Sequence, residues 1–172
     1  NDSIDGGADD DTYMFSDTES TAFGADTLSD SSGNDSLMFD AGFIDNLTVT
    51  LGPGAGAGTI TSVAGNVNLA ADIENFTLGS GADSFDGTAV TGAGRFVDGG
   101  VGADTIVASD FDDTLIGGAD ADELYGGTGN DVFTISSDYL ELFGDSIVGG
   151  TGDDTIDAGN VGNHMEVVYS GG

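Results

Sequence analysis

Four consecutive nine-residue units, GGVGADTIV, ASDFDDTLI, GGADADELY and GGTGNDVFT, fill residues 99–134, and most of the remaining chain varies this unit. In each, the sixth place is Asp (Asp104, Asp113, Asp122, Asp131), the eighth is large and apolar (Ile106, Leu115, Leu124, Phe133), and glycines cluster in the first four places. The pattern is G-G-x-G-x-D-x-U-x, a parallel β-helix repeat. Strand side chains alternate faces, so the last three places predict a very short strand whose eighth residue points inward. One apolar residue per unit then forms the core. The first six places must turn the chain tightly, and glycine permits the positive φ and close backbone approach that a side chain would block.

Two units make one coil of about 18 residues. Asp104 is therefore expected above Asp122 on one edge, and Asp113 above Asp131 on the other. Stacked carboxylates repel unless a cation lies between them, and a hard divalent ion taking about 6–8 oxygen ligands suits Asp carboxylates with turn carbonyls. Magnesium demands stricter octahedral geometry, and zinc prefers nitrogen and sulfur. The chain offers zinc one His and no Cys. Calcium, as several ions, is the expected cofactor. The residues expected to hold it are the place-six acids Asp2, Asp11, Asp26, Asp35, Asp83, Asp104, Asp113, Asp122, Asp131, Asp145 and Asp154. With them go the turn positions Gly6, Asp9, Gly24, Gly33, Gly81, Gly99, Gly102, Gly117, Asp120, Gly126, Gly129, Gly149 and Gly152.

These units resemble the calcium-binding repeats-in-toxin (RTX) family of secreted bacterial proteins. Four tandem units at fixed period are far more specific than one glycine motif. The expected fold is all-β, a parallel β-roll (β-solenoid) with calcium in the turns. The resemblance also implies a secreted protein, extracellular or at the bacterial cell surface, that leaves the cell unfolded through a one-step channel.

Composition bears on how such a coil holds together. With 31 Gly, one Pro and no Cys, neither disulfides nor stiff linkers support it, so metal must take their place. Thirty-two acidic residues face Arg95 alone, giving a net charge of −31. Self-repulsion on that scale predicts an expanded chain that folds when cations neutralise the turns, so that binding energy becomes folding energy. Extracellular calcium modules bind at about 10⁻⁴–10⁻³ M, which suits calcium outside cells. A chain without a basic patch is not expected to bind nucleic acid. Membrane insertion is not expected either, because no stretch approaches the roughly 18 continuous apolar residues of a spanning helix.

Taken in order, residues 1–38 carry RTX-type units. Gly24 and Gly33 survive in the units 21–29 and 30–38, but the first two glycines are lost, which predicts weaker sites there. Across residues 39–77 the Asp period gives way to alternation at 46–51, 59–61, 66–69 and 73–78. These are expected strands that continue the coil, or lie against it, without calcium. The string Gly52-Pro53-Gly54-Ala55-Gly56-Ala57-Gly58 between them has no helix pattern after it and is expected to be a loop, not a phosphate cradle.

The main calcium-binding roll is expected over residues 78–166, with residues 167–172 a tail or the start of a further repeat. Arg95 stands there at a sixth place, either filling part of a calcium position and pairing with a stacked Asp, or exposed on a degenerate turn. Residues 135–139 interrupt the period before it resumes. His164, the single histidine, falls at an outward place and is expected to be surface. Joined end to start, the chain spells YSGGNDSID, so it is either one unit of a tandem array or the ordered core of a longer chain.

Two functions compete. The first is a calcium-binding structural module of a surface layer, adhesin or extracellular filament. It would self-associate with neighbouring copies through its open sheet edges, with surface polysaccharide a further candidate partner. The second is the export and folding region of a secreted enzyme or toxin. Catalysis within these residues is not expected: a Ser-His-Asp arrangement would need His164, and the carboxylates are already explained by the repeat.

Overall fold

The computed structural model describes residues 2–16, 24–53, 57–62, 65–70, 72–135, 144–157 and 168–171. All regular structure among them is β, in two sheets between which the chain alternates. One sheet has ten strands in the order β1 (Ser3–Asp5), β3 (Gly24–Ser29), β7 (Gly65–Ala70), β6 (Gly58–Thr61), β5 (Thr48–Leu51), β9 (Ser84–Asp86), β11 (Thr105–Val107), β13 (Glu123–Thr128), β15 (Ser146–Thr151) and β17 (Val168–Gly171). The other has seven: β16 (Thr155–Asp157), β14 (Val132–Thr134), β12 (Thr114–Ala119), β10 (Phe96–Val101), β8 (Asn75–Thr77), β4 (Ser36–Phe39) and β2 (Thr12–Phe15). Apart from β6, neighbouring strands pair in parallel. This is the expected β-roll.

The core lies between the sheets, and in the regular coils it is built mainly from the eighth places. Ile106, Leu115, Leu124, Phe133 and Ile147 are fully buried, one per strand, while their strand neighbours face outward. Eighteen residues separate equivalent backbone positions in the regular coils. Where the sequence breaks period, the register resumes on the far side with a wider spacing. The spacing rises to 24 across residues 15–20 and to 23 across residues 135–139, most of which lie outside the described residues.

Two features depart from the expectation. First, β10, β12, β13 and β15 run six residues, crossing from the last three places of one unit into the first three of the next. Gly100 pairs with Gly118 across β10 and β12 with φ of +95° and +112°. A Cβ on Gly118 would collide with the Gly100 carbonyl, so the second glycine lets the ladder continue through a conformation closed to other residues.

Second, the alternating segment 46–70 forms an antiparallel hairpin inserted into the ten-stranded sheet. β6 runs antiparallel to both β5 and β7, while β7 joins β3 and β5 joins β9 in parallel. On the opposite face β8 alone bridges β4 and β10. Three strands opposite one leave more interior to fill, and the aromatic side chains gather in these coils. Phe39 stacks on Phe15 at 5.1 Å and meets Phe43 at 4.9 Å, and Phe76 meets Phe85 edge-on at 5.1 Å.

A core of one side chain per unit makes each inward residue costly to truncate. Leu115→Ala is expected to destabilise the calcium-saturated protein by about 2–5 kcal/mol in urea denaturation. The outward Val132→Ala is expected to stay within about 0.5 kcal/mol.

Candidate metal centres

Each short strand is entered through a sixth-place residue, and there the coils are tied together. The Oδ1 atom of a sixth-place Asp accepts a hydrogen bond from the main-chain N–H of the sixth-place residue one coil earlier. On the ten-stranded side Asp83 N donates to Asp104 at 2.8 Å, Asp104 N to Asp122 at 2.9 Å, and Asp122 N to Asp145 at 3.1 Å. Leu47 N donates to Asp83 at 2.7 Å, and Asp2 N to Asp26 at 2.8 Å. The hairpin separates these two stretches, with Val67 of β7 beside Asp26.

On the seven-stranded side Asp11 N donates to Asp35 at 2.8 Å, Asp113 N to Asp131 at 2.9 Å, and Asp131 N to Asp154 at 3.1 Å. Asp104 thus lies against Asp122 and Asp113 against Asp131, as the period predicts. The same row holds a residue that sequence reasoning missed: Glu74, whose Oε2 accepts from Asp35 N at 2.8 Å. The signal was present in Glu74-Asn75-Phe76-Thr77, which reproduces D-x-U-x with Glu for Asp. Without glycines before it, alternation hid the unit.

The second oxygen sets several of these carboxylates apart. In Asp11, Asp35, Asp83, Asp104 and Asp131 the Oδ2 is buried and accepts no hydrogen bond from the protein. A buried, unpaired carboxylate oxygen is costly unless a cation meets it. Turn carbonyls converge on the same place. A Cβ on Gly99 would stand 2.5 Å from Asp104 Oδ2 and 2.5 Å from the Gly117 carbonyl oxygen, so the first glycine of the unit leaves room for the carboxylate and for whatever it binds. Gly117 faces Asp122 and Gly126 faces Asp131 and the Gly149 carbonyl in the same way. All-oxygen rows of carboxylates and carbonyls fit calcium.

The remaining expected positions take several settings. Gly102, Gly129 and Gly152, all at fourth places, have φ of +127° to +133°, and Asp120 holds that place in its own unit with φ of +79°. Asp9 and Asp120 are exposed, and the Asp9 carbonyl lies beside Gly33. Gly81 packs over the Asp45 carbonyl, and Gly24 opens β3 opposite Gly65. The unit at 158–166 and His164 lie outside the described residues.

Asp113 differs from the other expected ligands. Its Oδ2 accepts from both the N–H and the hydroxyl of Ser109, at 3.0 and 2.9 Å, so protein donors already satisfy it. This unit lacks glycine, and Ser109 sits at the second place.

The glycine-poor unit at 30–38 carries a third carboxylate in place of the glycine it lost. Asp30 replaces the first glycine and its carboxylate meets those of Asp11 and Asp35, with oxygens of all three within 4.8 Å. Tyr13 O–H donates to Asp30 Oδ2 at 2.7 Å, which holds the Asp30 carboxyl below its usual range, while burial first and this bond second raise the Tyr13 phenol.

Burial dominates the electrostatics of the rows. It pushes Asp104 up to about 7 and Asp83 and Asp131 up to about 6, and it raises Asp35, Glu74, Asp113 and Asp145 as well. Hydrogen bonds from main-chain N–H groups pull the other way without cancelling it.

A parallel β-roll with two rows of half-satisfied, buried carboxylates over glycine turns defines a metal-stacked repeat module. The chain belongs to the RTX calcium-binding nonapeptide repeat family, whose model matches residues 1–17, 20–43, 98–133 and 142–160. Calcium is therefore its cofactor. The stretch 44–97, which holds the hairpin, Glu74 and Arg95, lies between the matched segments. A comparison with curated proteins found no match.

The raised carboxyls fix the sign of a pH effect. A carboxyl raised in the fold keeps its proton there and loses it in the unfolded chain, so the metal-free fold binds more protons and loses stability as pH rises from about 4 to about 7. Calcium needs the ionised form, so its affinity rises through the same window. Chelated protein is expected to show more β-signal by circular dichroism at pH 5 than at pH 8. Calcium should reverse that order and release protons on binding.

Proposed function

We propose that this chain is a calcium-stiffened structural module of a secreted bacterial surface protein, part of a surface layer, adhesin or filament, that joins end to end with copies of itself. The observation behind this reading is the open stack. β1 and β17 are the outer strands of the ten-stranded sheet, and β2 and β16 those of the seven-stranded sheet. Among the described residues no strand pairs with their outer edges. Unpaired strand edges favour pairing with a further strand.

The reading assigns no catalysis. The carboxylates that could act as an acid–base pair are engaged in the rows, and no helix among the described residues is long and apolar enough to cross a membrane. Outward Thr and Asn side chains on β5, β6 and β7 offer hydroxyls and amides to a surface polysaccharide as a second partner. The net charge of −31 opposes nucleic acid.

Titrating calcium into chelated protein, with circular dichroism and light scattering read together, tests the proposal. Folding and long assemblies are expected together near about 10⁻³ M calcium. Folding to a strictly monomeric particle would instead favour an export and folding region beside a catalytic domain.

A further inference from the structure

Arg95 is the only Lys or Arg in the chain, and it is buried, 4% exposed, at a sixth place of the seven-stranded side. Its two terminal nitrogens meet oxygen, while Nε is buried without a hydrogen-bond partner. Nη1 donates to the carbonyls of Ala93 at 3.0 Å and Gly94 at 3.3 Å, and Nη2 meets Asp72 Oδ1 at 2.9 Å. Ala93 and Gly94 belong to its own turn, whereas Asp72 lies in the turn before β8, one coil earlier. The side chain thus joins two turns through carbonyl and carboxylate oxygens, the same donor types the rows present to calcium. Its partner is a turn acid at 72, not a stacked sixth-place Asp.

At the neighbouring position both carboxylate oxygens are satisfied without metal. Arg95 N donates to Asp113 Oδ1, and Ser109 satisfies Asp113 Oδ2. Arg95 and Asp113 therefore differ together from Asp11, Asp35 and Asp131, whose second oxygens find no donor in the protein.

We propose that Arg95 is a tethered cation that takes the place of one calcium ion, creating a metal-independent seam in the middle of the seven-stranded side. Ions then fill the row on either side, at Asp11 and Asp35 and again from Asp131 onward, as two separate groups. A covalently attached charge needs no calcium to be present, so this seam is the part of the row that can order first. The inference rests on calcium binding by the repeats, which the unsubstituted protein reports separately in the same experiment.

Calorimetric titration of calcium into the full chain gives the number of ions bound, and circular dichroism gives the folding midpoint. Arg95→Asp is expected to bind one more ion per chain than the parent. Arg95→Met should bind no additional ion and need several-fold more calcium to fold, because Asp72 and the two carbonyls lose their cation. Arg95→Lys should fold near the parent midpoint, whereas a mere packing role would make Met at least as good as Lys. An Arg95→Asp protein with unchanged stoichiometry, or a Met variant that folds at the parent or Lys midpoint, would overturn the proposal. If Arg95→Asp does not fold, the Lys and Met pair decides the question. A parent chain that binds no calcium would instead overturn the metal reading itself.

Discussion

One hydrogen bond recurs through the molecule: a sixth-place carboxylate accepts the main-chain N–H of the same place one coil earlier. It spends only one of the two carboxylate oxygens. In Asp11, Asp35, Asp83, Asp104 and Asp131 the other is buried without a protein donor, a half-satisfaction that ties the fold to a cation. A coil with one apolar residue per unit has a thin core, and apolar burial gains little for each residue ordered. The rows supply cohesion only after their charge is neutralised.

The glycines follow from that constraint. At the first place, Gly99, Gly117 and Gly126 leave the volume that the carboxylate of their own unit enters. Where the glycine is missing, the structure answers with another group. Asp30 brings a third carboxylate to Asp11 and Asp35, and in the glycine-free unit Ser109 donates to Asp113. Variation of the repeat thus changes how each position meets its charge and leaves the coil intact. The insert β5–β6–β7 shows the same tolerance in the backbone, because a parallel sheet accepts an antiparallel hairpin wherever both outer strands keep their direction.

Much of this was legible in the residues. The period of nine placed the inward side chains and stacked Asp104 with Asp122 and Asp113 with Asp131, and the breaks at residues 15–20 and 135–139 are the lengths by which the register shifts. What escaped had physical reasons. Alternation in residues 46–70 encodes which face is buried but not which way a strand runs, so the reversal at β6 was invisible. Glu74 lacked both the Asp and the glycines that mark a unit. Spacing along the chain also does not show that the Asp30 carboxylate turns toward Asp11.

The central claim is that buried second oxygens of the sixth-place carboxylates are the calcium ligands. Anomalous scattering from calcium-loaded crystals tests it most directly. Peaks are expected in two lines, against Oδ2 of Asp83 and Asp104 on one side and of Asp11, Asp35 and Asp131 on the other. Peaks confined to outward acids such as Asp5 and Asp110, with those oxygens uncoordinated in a folded roll, would contradict it.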